Sequence, residues 1–191
     1  MKADDALDRL LSGNRRYAGG HAERPHQTGE RRSEVTAGQQ PFAAVLGCSD
    51  SRVPPEVILD QGIGDLFVVR TAGHVVDDAA LGSLEYAVEH LGVELILVLA
   101  HTDCGAVAAT VRGGSVDGHV SRVVDAILPA VDRARGQDGD LRHAAVICNA
   151  EMVAQILSDS EPVLARHVAE GRLAVVPALY DLATGRVSVI A

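Results

Sequence analysis

Tryptophan is absent from this chain, and aromatic residues make up only 3% of it. Core volume must therefore come from Ala, Val, Leu and Ile, and 191 residues suffice for one domain with a sizeable interior, spanning 1–191. No polybasic stretch offsets the formal net charge of -9, which excludes a general nucleic-acid binder. Arg31-Arg32, a locally basic patch, reads as a solvated turn. No apolar run approaches the roughly 20 residues of a membrane helix, so no membrane partner is expected. Residues 1–8 carry three acidic groups and no apolar h-region, which argues against a secretory signal and for a cytoplasmic protein. Cysteine is scarce too. Three is an odd number with no scaffold spacing, and in a reducing compartment such cysteines serve as ligands, nucleophiles or core fillers.

What is present is an alternation of two periodicities. Ala3, Ala6, Leu7, Leu10 and Leu11 share one face of a helix over 1–19. Residues 19–41 show little periodicity and read as an arm lying on something else, such as a second subunit. Phe42–Leu46, Leu66–Val69 and Leu95–Leu99 are short continuous apolar runs, as in parallel strands buried on both faces. Pro54-Pro55 opens a short helix through Leu59. Leu81, Leu84, Val88 and Leu91 mark a helix that Gly92 ends. Val123 to Val131 and Arg142 to Leu157 carry two more helical patterns. Leu173–Val176 and Val187–Ile190 are late strands joined through a Thr-Gly turn. The fold class is α/β, with a mostly parallel central sheet, flanking helices and an N-terminal helical arm (1–41).

Two polar motifs follow apolar strands directly: Cys48-Ser-Asp-Ser-Arg52 and His101-Thr-Asp-Cys104. Ligands in open α/β sheets bind outside the carboxyl ends of strands. If the two strands are neighbours, Cys48, His101 and Cys104 converge. Two thiolates and an imidazole suit zinc, and three protein ligands leave the open position of a catalytic site. Zinc lowers the pKa of bound water to about 7, producing a hydroxide nucleophile. Asp50 is a possible fourth ligand. A bidentate Asp50–Arg52 pair would hold that carboxylate off the metal and let it orient the hydroxide. Taken singly, each motif has a bland reading: a strand-end cysteine as a small core residue, or Asp50–Arg52 as a salt bridge of little energy. Their joint placement favours the metal site.

At these residues the sequence resembles the β-class carbonic anhydrases over nearly its whole length. The resemblance is carried by Leu11-Ser-Gly-Asn-Arg-Arg-Tyr17, Cys48-Ser-Asp-Ser-Arg-Val53, Leu66-Phe-Val-Val-Arg-Thr-Ala-Gly73, Ser83-Leu-Glu-Tyr86, His101-Thr-Asp-Cys-Gly105 and Ala178-Leu-Tyr-Asp-Leu182. It implies reversible hydration of carbon dioxide to bicarbonate, with one Zn2+ per subunit on Cys48, His101 and Cys104. It makes Asp50 and Arg52 the catalytic dyad, with Asp50 zinc-bound at low pH in some members. It further implies Gln39, Phe67, Ala72, Tyr86 and Gly105 around the substrate, with Gln39 and Tyr86 reaching across subunits of a homodimer or homotetramer. Val45 replaces the Trp of the bicarbonate-regulated subtype, and His74 replaces a common Asn. Rival readings are a carbonyl sulfide or carbon disulfide hydrolase on the same scaffold, and a non-catalytic zinc-binding interaction protein.

Other residues fall outside this set. Cys148 reads as buried in a helix. His74 reads as a proton shuttle or a loop-holding hydrogen bond. Asp103 reads as an acceptor behind the ligands or as a helix cap near Gly105. His21, His26, His90, His119, His143 and His167 read as surface residues, and Arg112 to His119 as a mobile loop near the mouth.

Overall fold

The computed structural model describes residues 1–190. Its five-stranded sheet runs in the order β2-β1-β3-β4-β5. Strands β1 (Ala43–Cys48), β2 (Leu66–Thr71), β3 (Leu95–His101) and β4 (Ala174–Tyr180) are parallel, and β5 (Val187–Val189) closes one edge antiparallel to β4. The chain steps from β1 outward to β2, then crosses back over β1 to β3. The order therefore reverses at the β1/β3 boundary, the place where such sheets leave a crevice at their carboxyl ends.

Side chains alternate across the sheet and feed two cores. Ala44, Leu46, Cys48, Ile96, Val98 and Ala100 face the larger one, beneath helices α4 (Asp78–Leu91), α5 (Gly105–Arg112), α6 (Val120–Ala134) and α7 (Leu141–Ser158). Ala43, Val45, Leu95, Leu97 and Leu99 face the smaller one, with Ala6 and Leu10 of helix α1 (Ala3–Ala18) and Ile58 of α3 (Pro55–Ile58). β1 and β3 are buried along their whole length, as unbroken apolar runs between helix layers should be. β2, expected to be buried on both faces, is half-buried because it lies at the sheet edge. Gly92 ends α4 with φ 69°, and Asp77 caps its start by accepting from Ala80 N–H.

The arm is more ordered than its sequence suggests. Residues Gly29–Glu34 form helix α2, capped by Thr28, and Val35–Ala37 add a 3-10 turn. Arg31-Arg32 lies in that helix, and Arg31 Nε donates to Ile63 O. Helix α2 buries no residue, so it leaves no apolar period to read. The arm docks on its own chain through two buried carboxylates. Asp60 accepts from the N–H groups of Glu23 and Arg24 and from Arg16, and Asp65 pairs with Arg9 and His26. Helix α8 (Leu164–Ala169) went unforeseen, and it corrects the surface reading of His167, which is buried with Nε2 2.7 Å from Glu89 Oε2. No described helix is long and apolar enough to cross a membrane.

Candidate metal centre

Cys48 is the last residue of β1 and His101 the last of β3, so the two neighbouring strands deliver them side by side. The chain then turns through Thr102 and Asp103, the latter at φ 54°, and Cys104 sits at the N-cap of α5. All three side chains are buried, and their ligand atoms lie within 4.8 Å of one another. The two sulfurs are 4.0 Å apart. His101 Nδ1 is 2.8 Å from the Thr102 carbonyl, an acceptor only, so Nδ1 carries the proton. Its Nε2 then bears a lone pair, buried and without a hydrogen-bond partner. An orphaned imidazole nitrogen beside two thiols is costly unless a cation takes it, and a neutral His with two thiolates is a donor set for zinc. The residues present therefore fit a metal.

Two thiols this close in a dry pocket do not both ionise without a cation. Cys48 is the acid of the pair. A hydrogen bond from Cys104 lowers its pKa most, and the N–H groups of Asp50 and Gly73 add to this against the cost of burial. The Cys104 thiol is pushed up by the same hydrogen bond and by burial. Burial lowers the His101 pKa, but Cys48 and the Thr102 carbonyl outweigh it and the net direction is up.

Asp50 lies two residues beyond β1, fully engaged by Arg52. Arg52 Nε donates to Oδ1 at 2.9 Å, Nη2 to Oδ2 at 2.7 Å, and the Arg52 N–H to Oδ1 at 2.9 Å. The side-chain bonds from Arg52 are the main reason its carboxyl is held well below the usual range. Oδ2 is also 3.8 Å from His101 Nε2, so the carboxylate borders the ligand group while pointing its charge at the guanidinium. Arg52 donates a further bond to the Asp103 carbonyl. That carbonyl, with Cys104 at the N-cap, is where the structure places Asp103; its side chain does not cap α5.

Three residues here escaped the sequence reading. Arg70, near the end of β2, donates to the carbonyls of Cys48 at 2.9 Å and Asp50 at 2.6 Å, pinning the turn between them. Gly73 N–H donates to Cys48 Sγ at 3.3 Å, and Asn149 holds the Gly73 carbonyl. An arginine closing an apolar strand and an asparagine inside an apolar helix were the available signals.

Of the expected substrate residues, Ala72 and Gly105 directly adjoin Gly73 and Cys104 at the ligand group, and Phe67 lies beside Tyr86. Phe67 is half-buried on β2 with its ring 6.3 Å from that of Tyr86, which is exposed on α4. Gln39, Ala72 and Gly105 are exposed. A side chain at Gly105 would meet nothing within 4 Å, so no crowding in this chain demands glycine there. His74 is buried, its Nε2 bonded to Asn149, and burial pulls its pKa down to about 4. Residues 113–119 form a largely exposed connection between α5 and α6. A cavity of about 390 Å³ opens next to Thr102 and Cys104, with His143 and Asp181 in its wall. Cys148 is buried in α7, as expected.

Residues 43–187 match the family model described as carbonic anhydrase. Carbonic anhydrase 2 of Mycobacterium tuberculosis is 44% identical over 188 residues, covering 93% of this chain and 87% of the relative. A carbonic anhydrase of Mycolicibacterium smegmatis is 45% identical over 184 residues, covering 93% and 88%. Among solved structures, a tetrameric β-carbonic anhydrase from Sordaria macrospora superposes with TM-score 0.79 at 26% identity, covering 98% of each chain. The Coccomyxa β-carbonic anhydrase solved with acetazolamide superposes with TM-score 0.76 at 29% identity, covering 96% of this chain and 86% of that one.

Proposed function

This chain belongs to the β-class carbonic anhydrase family, and from that premise we propose that it hydrates carbon dioxide reversibly to bicarbonate and a proton on a zinc ion held by Cys48, His101 and Cys104. The observation that carries the reading is the unpartnered, buried Nε2 of His101 beside two sulfurs 4.0 Å apart. His101 would ligate through Nε2, since Nδ1–H is committed to Thr102. Bound there, zinc supplies a Lewis acid that makes water a nucleophile near neutral pH.

The remaining work falls to the chain's own side chains. Arg52 occupies both Asp50 oxygens, which keeps that carboxylate ionised and off the fourth metal position. Asp50 Oδ2, the oxygen that borders His101, accepts a hydrogen from the attacking water and so turns an oxygen lone pair toward the substrate carbon. One carbon–oxygen bond forms, bicarbonate leaves, and the surplus proton passes to buffer. Arg70 keeps Cys48 and Asp50 in register by holding both carbonyls.

Phe67, Ala72 and Tyr86 would wall the substrate side with apolar surface suited to carbon dioxide, with Gly105 beside the last ligand and Gln39 as a donor. Gln39 and Tyr86 are exposed in one chain, so a homodimer or homotetramer would complete the pocket. The Sordaria relative is described as tetrameric. Residues 1–191 act as one domain, and its three unbridged cysteines suit the reducing cytoplasm.

The test is stopped-flow carbon dioxide hydration at pH 8 on protein of measured zinc content, with carbonyl sulfide turnover on the same preparation. Hydration at one zinc per subunit is the expected result. A zinc-loaded protein that hydrates no carbon dioxide, or turns over only carbonyl sulfide, sinks the proposal.

A further inference from the structure

Helix α7 runs through the larger core, and one buried polar side chain interrupts its apolar surface. Asn149 is 2% exposed, between buried Cys148 and Ala150. An amide buried without partners is destabilising, so the destination of its hydrogen bonds matters. Its Nδ2 donates to the Gly73 carbonyl at 3.0 Å and to His74 Nε2 at 2.9 Å. A carbonyl only accepts, so the amide nitrogen must face this loop.

Gly73 offers its other polar group to the ligand. Its N–H donates to Cys48 Sγ at 3.3 Å. Asn149 thus grips one end of the residue whose other end touches the sulfur. Gly73 and His74 both take left-handed backbone conformations, at φ 65° and φ 46°. The second is unusual for a histidine, and such geometry persists only where the surroundings over-determine it. Both hydrogens of the Asn149 amide are spent on this pair.

We infer that Asn149, acting through Gly73 and His74, is a positioning residue that sets the N–H···S hydrogen bond on Cys48 and so tunes the donor strength of that thiolate toward its metal. The inference rests on the metal reading above. An N–H on sulfur draws electron density from it. The same bond fixes the direction in which the sulfur presents its lone pairs, so the ligand is preorganised for the cation. Without Asn149 the loop is free to relax from its left-handed turn and withdraw the N–H. Neither ligand nor substrate needs to touch Asn149 for this to matter.

The experiment uses Asn149→Asp, which keeps the shape but presents no amide donor to the carbonyl, and Asn149→Leu, of similar size. Zinc affinity is measured by chelator competition, and the sulfur-to-metal charge-transfer bands are recorded on Co2+-substituted protein. Both variants should bind zinc about 10–100-fold more weakly, the range for loss of a group behind a ligand, because Cys48 is no longer held in its ligating position. Their bands should move to longer wavelength as the sulfur becomes a stronger donor. Lower melting temperatures with wild-type affinity and spectrum would make Asn149 a packing residue and overturn the inference. Hydrogen exchange of the Gly73 amide in zinc-loaded wild type needs no variant, so it decides even if both variants misfold. Protection supports the bond, and exchange at the rate of an open loop overturns it. A wild-type protein that binds no zinc would fail the metal reading itself, and this is seen before any variant is made.

Discussion

Replacing Gly73 with alanine puts the structure around Cys48 to a quantitative test. The residue sits at φ 65°, where a Cβ costs roughly 1–2 kcal/mol. The new methyl would lie 2.6 Å from Ile127 Cδ1 and 3.0 Å from Ala106 Cβ. Ile127 is fully buried, so its terminal methyl has no open space to swing into. Overpacking of this kind costs about 1–3 kcal/mol. The sum is about 2–5 kcal/mol of destabilisation. Ile127→Val removes the clashing atom at a cost of about 0.5–1.5 kcal/mol on its own. The double variant should therefore be more stable than the sum of the singles by about 1–3 kcal/mol, a coupling that neighbouring residues can show. Denaturant unfolding of all four proteins, at one protein and one zinc concentration, measures this. Additivity within about 0.5 kcal/mol would refute the claim that Ile127 and the Gly73 turn compete for the same space.

Other outcomes follow from the same geometry. Arg52→Ala frees the Asp50 carboxylate, so hydration should fall about 100-fold, at the low end for a misplaced acid–base group, while zinc content holds; undiminished kcat/KM would end the orienting role of Asp50. Cys104→Ser should lose zinc by metal analysis, and retention of zinc would remove Cys104 from the ligand set. Metal must displace the proton of the Cys104 thiol, whose pKa is shifted upward, so chelator competition should show affinity rising with pH; a flat profile from about pH 6 to 8 would contradict that sign. Asp60→Ala removes the acceptor of the Glu23 and Arg24 N–H groups, so limited proteolysis within 19–41 should accelerate; unchanged cleavage would mean that other contacts hold the arm.

Much of the scaffold was legible because burial leaves a period. The apolar runs of β1 and β3 and the spaced leucines of α4 state their own surroundings, and Gly92 marks a helix end for a steric reason. Short elements that bury little, such as α2, leave no such trace. His167 looked like a surface residue because nothing local records its partner, Glu89, which is far away in the chain. Asn149 left a signal as an amide inside an apolar helix, but its partners Gly73 and His74 were hidden for the same reason.

What the sequence alone determined, then, was local: two polar motifs placed just after buried strands, an acid and an arginine two residues apart, and a chain without the charge for nucleic acid. Residue type and spacing suffice there, since Asp50 and Arg52 find each other within one turn. The strand order 2-1-3-4-5 was decided by the tertiary structure, and that order makes β1 and β3 neighbours and brings Cys48 within reach of His101. The third layer of the site came from the same source: Arg70 on the turn, Gly73 on the sulfur and Asn149 behind it. Hydrogen bonds between distant segments depend on how elements pack, and packing distance is not written in any window of the chain.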